Sequence, residues 1–167
     1  MSAFVIILAG LLGLIIGSFL NVVIYRLPRM MYGEKKINLA FPASHCPQCK
    51  IPLKWRHNIP VLSFALQRGK CSACKINISS RYPLVELLTA FFSIAVVMHF
   101  RQLKQFLPAL LYIWLLIPMI FIDFEHQLLP DVLTLPLLVC GLGVNYFNIF
   151  VSFQSALLGA VIGYASF

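Results

Sequence analysis

The chain has 167 residues, 60% of them hydrophobic and only 11% charged, with a formal net charge of +8. A soluble globule carries about a quarter charged residues, so this composition excludes a domain surrounded by water and points to one that meets lipid. The charge is also unevenly placed: eleven of the thirteen Lys and Arg residues fall between positions 26 and 83, an interval whose only acid is Glu34.

The first apolar run, Ala3 to Tyr25, is interrupted only by Ser18 and Asn21. About 20 apolar residues cross a bilayer core, and no positive charge precedes the run as a cleaved signal peptide would require. A transmembrane helix is therefore expected over 1–25. Gly13 and Gly17 have the spacing that lets helices approach closely in lipid, here expected within the chain rather than as a dimer seam. Asn21 is placed to bond a neighbouring helix.

The basic segment 26–83 follows. Cations are retained on the cytoplasmic side of membranes, so this loop is expected inside and Met1 in the periplasm. The segment lacks alternating basic and aromatic residues and any docking motif, and no nucleic-acid partner is expected. Within it stand Cys46-Pro47-Gln48-Cys49 and Cys71-Ser72-Ala73-Cys74, separated by twenty-one residues. Two such pairs read as four thiolate ligands for a tetrahedral zinc ion. Lys50, Lys54, Lys70 and Lys75 are near in sequence and favour thiolate over thiol. A small loop gains stability from a metal that it cannot gain from its own core. Two disulfides are the bland alternative, disfavoured in the cytoplasm, and a redox pair is a third. Four thiolates leave no open position, so the site is expected to be structural. His45 adjoins the first ligand but is not needed, and Cys140 lies alone in an apolar run where packing explains it.

Further spans are expected at 84–100, 106–122 and from Val132 onward, giving an all-α polytopic membrane protein of about four to five transmembrane helices. Between Val132 and Phe167 no residue is charged. That stretch is too long for one crossing and is expected to turn back near Asn145 to Gln154, leaving a return span that ends incomplete.

Three of the five acids cluster in Ile122-Asp123-Phe124-Glu125-His126-Gln127-Leu128-Leu129-Pro130-Asp131. Acids at the end of a membrane span are functional candidates, and paired carboxylates can work as general base and general acid in peptide hydrolysis. For Glu125 and Asp131 a hydrated turn explains the acid equally well. Pro130 interrupts any single helical face joining Asp123 to Asp131, so that pairing is not favoured. His126 reads as a hydrated interfacial histidine, with tuning of Asp123 as the alternative. Glu86 reads either as a cap or as a partner for loop cations.

The segment Gly17-Ser18-Phe19-Leu20-Asn21-Val22-Val23-Ile24-Tyr25-Arg26-Leu27-Pro28 resembles the opening of type IV prepilin peptidases. The paired CxxC motifs, Arg68-Gly69-Lys70-Cys71, Ser80-Arg81-Tyr82-Pro83-Leu84-Val85-Glu86 and the Asp123 run with Leu133-Thr134-Leu135-Pro136 follow in the same family's order. The resemblance implies a multi-pass aspartic peptidase of the bacterial inner membrane. Such an enzyme removes the leader of type IV prepilins and type II secretion pseudopilins at the cytoplasmic face, then N-methylates the new terminus with S-adenosylmethionine. It implies Asp123 as the first catalytic aspartate. The second belongs to a Gly-x-Gly-Asp motif that these 167 residues do not contain, so the chain is expected to be C-terminally truncated and deficient as a peptidase. Gly69 and Lys70 are the methyl-donor candidates on the same analogy. The implied division is 1–25 as first helix, 26–83 as zinc-binding unit and 84–167 as the start of the peptidase domain. A non-catalytic membrane scaffold and a thiol oxidoreductase remain as alternatives.

Overall fold

A computed structural model describes residues 2–34, 37–46, 48–52, 59–100 and 102–165. Lys35, Lys36, Lys54 and Arg56 of the basic segment, together with Pro47 and Arg101, lie outside the described residues. The elements are α1 (Ala3–Met31), α2 (Leu62–Leu66), α3 (Arg81–His99), α4 (Leu103–His126), α5 (Asp131–Tyr146) and α6 (Phe153–Ala165). Among the described residues there is no strand, only two isolated bridges in the cysteine loop. Three helices, α1, α3 and α4, are long and apolar enough to cross a membrane, and α5 and α6 are shorter apolar helices. The protein is an all-helical multi-pass membrane protein, as its composition requires.

Helix α1 does not stop at Tyr25, where the charges begin, but runs on to Met31. Arg26 explains the extension. Its guanidinium is buried and donates through Nη1 to the Asn38 carbonyl at 2.8 Å and through Nη2 to the Pro42 carbonyl at 2.6 Å. With its donors answered by loop carbonyls, the charge can sit inside, and Leu27 and Pro28 continue the buried face. The helix ends at Gly33, whose φ of +92° suits a residue without a Cβ, and its N–H donates to the Met30 carbonyl.

The tightest helix pair is α1 against α3. A Cβ added to Gly13 would lie 2.6 Å from the Ala90 Cα, and one added to Gly17 would lie 2.7 Å from the Glu86 Cα. The two glycines are therefore the seam on which α3 rests, and the close approach is within one chain as expected. Asn21 extends the seam by donating to the Tyr82 carbonyl at 3.0 Å. On the α3 side Glu86, Thr89 and Ser93 are buried, and Ser93 Oγ accepts the Trp114 indole N–H of α4 at 3.0 Å. Ser93 and Trp114 thus satisfy each other between helices, while Thr89 Oγ1 donates to the Val85 carbonyl of its own helix, where lipid offers no partner.

Helix α4 includes the first acids instead of ending before them. Asp123 and Glu125 belong to its last turns, and the turn to α5 is only Gln127 to Pro130. Gln127 closes the helix in the left-handed conformation with its N–H on the Asp123 carbonyl at 2.8 Å, and Pro130 then opens α5. The uncharged stretch is the expected hairpin. Its turn is organised by Asn145, whose Oδ1 accepts the N–H groups of Phe150 and Val151. One core cluster, with Ile24, Val85, Ile122 and Leu133, joins α1, α3, α4 and α5 at the loop end of the bundle. A second, around Ala9, Val97 and Leu110, lies at the other end.

Candidate functional site

The cysteine loop folds as two matching knuckles. In the first, Cys46 N–H donates to the Ile51 carbonyl, Lys50 N–H returns to the Cys46 carbonyl, and His45 bridges to Pro52. In the second, Cys71 N–H donates to Ile76, Lys75 N–H returns to Cys71, and Lys70 bridges to Asn77. Lys50 and Lys75 occupy equivalent places just after the second cysteine, at φ of +55° and +60°. CxxC spacing announces such knuckles; a left-handed lysine closing each is not legible from residue type, because Gly or Asn is the usual occupant.

The two knuckles bring all four sulfurs together. The Sγ atoms of Cys46, Cys49, Cys71 and Cys74 lie within 4.8 Å of one another, and none is in a disulfide. A tetrahedral zinc ion with Zn–S bonds of about 2.3 Å sets its sulfurs about 3.8 Å apart. The Cys46 and Cys74 sulfurs stand at 3.8 Å. The donor set and its spacing fit a four-thiolate ion. His45 turns its Nδ1 to the Ala43 carbonyl at 3.0 Å and stays outside the set.

The knuckle amides also favour thiolates. Backbone N–H groups of Cys74 and Ala73 point at the Cys71 sulfur and lower its pKa to about 6. The Cys46 thiol is lowered likewise, first by the Cys49 amide. Cys74 receives the Ile76 amide, which lowers its pKa, but desolvation and the other three sulfurs raise it to about 11. Four sulfurs this close cannot all ionise without a cation among them.

Gly69 and Lys70 sit at the entry to the second knuckle. Gly69 has φ of +66°, and a Cβ there would stand 3.1 Å from the Phe64 ring, so a structural requirement accounts for glycine. Lys70 is exposed.

The loop is fastened to the bundle near Glu86. Val61 is the centre of a γ-turn of the rare positive-φ hand: its φ and ψ are 59° and −47°, and Leu62 N–H reaches the Pro60 carbonyl at 2.5 Å. A β-branched residue in that conformation is strained. Its own N–H donates to Glu86 Oε2 at 2.7 Å. Glu86 thus acts as a cap for the loop; among the described residues no cation pairs with it.

The acids stand at this same end of the bundle. Asp123, Glu125, His126 and Asp131 are exposed. Glu125 accepts Arg81 Nη1 on both carboxylate oxygens, at 2.7 and 2.6 Å. Among the described residues no hydrogen bond or ion pair occupies the Asp123 or Asp131 carboxylates, and His126 makes none with Asp123. The sequence offers the cap as one of two readings of Glu86; it does not offer the Arg81–Glu125 pair, whose only signal is a cation at the head of an apolar run.

At the opposite end an apolar cavity of about 400 Å³ lies between α3, α4 and α5, with Cys140 in its wall. Cys140, expected to be a packing residue, is half-buried there.

Two family models match the chain: the Bacterial Peptidase A24 N-terminal domain over residues 11–100 and the Type IV leader peptidase family over residues 110–167. Curated relatives named prepilin leader peptidase/N-methyltransferase are similar. The protein from Dichelobacter nodosus is 46% identical over 94% of this chain and 62% of its own length. That from Pseudomonas aeruginosa is 47% identical over 93% of this chain and 60% of its own length. That from Neisseria gonorrhoeae is 43% identical over 99% and 64%. The chain thus spans about three-fifths of the length of the curated relatives it matches. No solved structure matches it significantly.

Proposed function

The chain belongs to the type IV leader peptidase family, and from that membership we propose that it takes part in cleaving the leader from type IV prepilins and type II secretion pseudopilins and in N-methylating the new terminus. The observation that carries the reading is the exposed, unoccupied carboxylate of Asp123 on the last turns of α4, at the end of the bundle from which the cysteine loop springs. In this proposal the N-terminus is periplasmic, the 26–83 loop is cytoplasmic, and the protein lies in the bacterial inner membrane. The 84–167 region is the start of the peptidase domain.

Asp123 orients a water against the scissile carbonyl and accepts its proton, and a second carboxylate returns a proton to the leaving amine. These 167 residues hold no Gly-x-Gly-Asp motif, so the partner acid is not among them. Cys46, Cys49, Cys71 and Cys74 would hold a zinc ion, which when bound cross-links the two knuckles and leaves no position for substrate. S-adenosylmethionine is the methyl donor in this reading, with Gly69 and Lys70 as the donor-binding candidates.

The test is prepilin processing in a bacterial strain lacking its own leader peptidase, read by precursor size and by mass of the mature terminus. Residues 1–167 alone are expected to leave the precursor uncut. Joined to the C-terminal two-fifths of a relative that carries Gly-x-Gly-Asp, they are expected to cut it, and Asp123→Asn is expected to slow that cleavage about a hundredfold to ten-thousandfold. Undiminished cleavage by the Asp123→Asn fusion overturns the assignment.

A further inference from the structure

Arg81 opens α3 only seven residues after Cys74. Most of that interval is tied down: Lys70 bridges to Asn77, and Ile78 N–H donates to the Gly69 carbonyl at 2.7 Å. Only Ser79 and Ser80 separate the second knuckle from Arg81, and Ser79 Oγ accepts the Arg81 N–H at 3.2 Å. From this short tether the guanidinium reaches across 44 positions of sequence to the Glu125 carboxylate. The two side chains are 18% and 31% exposed, so the contact is partly sheltered from water and its attraction less screened than on an open surface. Among the described residues it is the one salt bridge.

Its place on α4 gives it a purpose. Glu125 is two positions past Asp123, in the last turn, where a helix runs out of intrahelical partners and frays. The cap there is the Gln127 N–H on the carbonyl of Asp123 itself. Fraying of this turn therefore moves Asp123, and a contact that opposes fraying holds it in place. We infer that Arg81 is a positioning residue for Asp123: acting through Glu125, it holds the last turn of α4 against the start of α3, beside the second knuckle. The consequence for cleavage rests on Asp123 being the catalytic acid, whereas the holding of the turn does not.

Hydrogen–deuterium exchange of the segment 121–127, measured on the detergent-solubilised chain, tests the holding directly. Arg81→Met is expected to speed exchange there about fivefold to tenfold, the loss of one charge-assisted contact. Glu125→Gln, which removes the same contact from the other side, is expected to match it, and the reversed pair Arg81→Glu with Glu125→Arg to return exchange to within about twofold of the parent. Unchanged exchange in both single variants, or no recovery in the reversed pair, overturns the inference. In the cleavage-competent fusion, Arg81→Met is expected to lower kcat several-fold with KM unchanged, and faster exchange with unaltered kcat refutes the positioning role. Should Asp123→Asn leave cleavage intact, the peptidase reading falls while the exchange result stands by itself.

Discussion

Replacing Gly13 by alanine tests the α1–α3 seam on which the rest of the bundle is registered. The added methyl would lie 2.6 Å from the Ala90 Cα, 2.8 Å from Ser93 Oγ and 3.0 Å from the Thr89 carbonyl. Non-bonded carbons settle at about 3.5–4.0 Å, so α1 and α3 must separate locally by about 1 Å. Two of the three obstacles are backbone atoms, which no rotamer change can move. The third, Ser93 Oγ, already accepts from Trp114 and donates to the Thr89 carbonyl at 2.7 Å, so moving it disturbs two hydrogen bonds. Overpacking of this kind costs about 1–3 kcal/mol. Gly141→Ala is the control, because beyond its own stretch of helix backbone nothing described lies within 4 Å of a Cβ there. Thermal unfolding in detergent, followed by circular dichroism, is expected to show a lowered midpoint for Gly13→Ala and an unchanged or raised one for Gly141→Ala. Equal midpoints for the two variants refute the seam. So does a Gly13→Ala protein that merely dissociates from dimer to monomer at unchanged midpoint, since the glycine would then face a second chain.

Purified protein is expected to carry about one zinc ion per chain, and Cys71→Ser to retain a small fraction of that by elemental analysis. Chelation is expected to open the exposed Arg68, Lys70 and Lys75 to trypsin, and cleavage of the loop at equal rates with and without chelator would count against a metal staple. Glu86→Ala leaves the Val61 N–H without its acceptor and is expected to cost about 1–3 kcal/mol. Glu86→Gln keeps an oxygen in place and is expected to lose less than half as much, so equal losses in a denaturation series would mean that packing, not the cap, is what Glu86 supplies.

Several features could be read before any coordinates. Helix content, the number of apolar segments, the hairpin after Val132 and the metal-type cysteine set all follow from local rules: run length, charge placement and the two-residue spacing within each CxxC. Where each helix ends was less legible. Arg26 looked like the end of a span because a charge in lipid is costly, yet carbonyls of residues 38 and 42 make it tolerable inside. Asp123 and Glu125 looked like turn residues for the same reason, yet α4 carries them to its last turns and only Gln127 to Pro130 turn.

Glu86 shows the limit most clearly. Cap and cation partner were equal readings of its position, and the decision came from Val61, twenty-five positions earlier, whose γ-turn frees an N–H toward it. Arg81 and Glu125, forty-four positions apart, are a similar case. By itself the sequence determined which segments are apolar helices, which four sulfurs share a site and which family the chain resembles, because hydropathy and motif spacing act over neighbouring residues. The tertiary structure alone decided which buried polar group answers which, because the cost of an unpaired donor or charge is met by whatever the folded chain brings within about 3 Å.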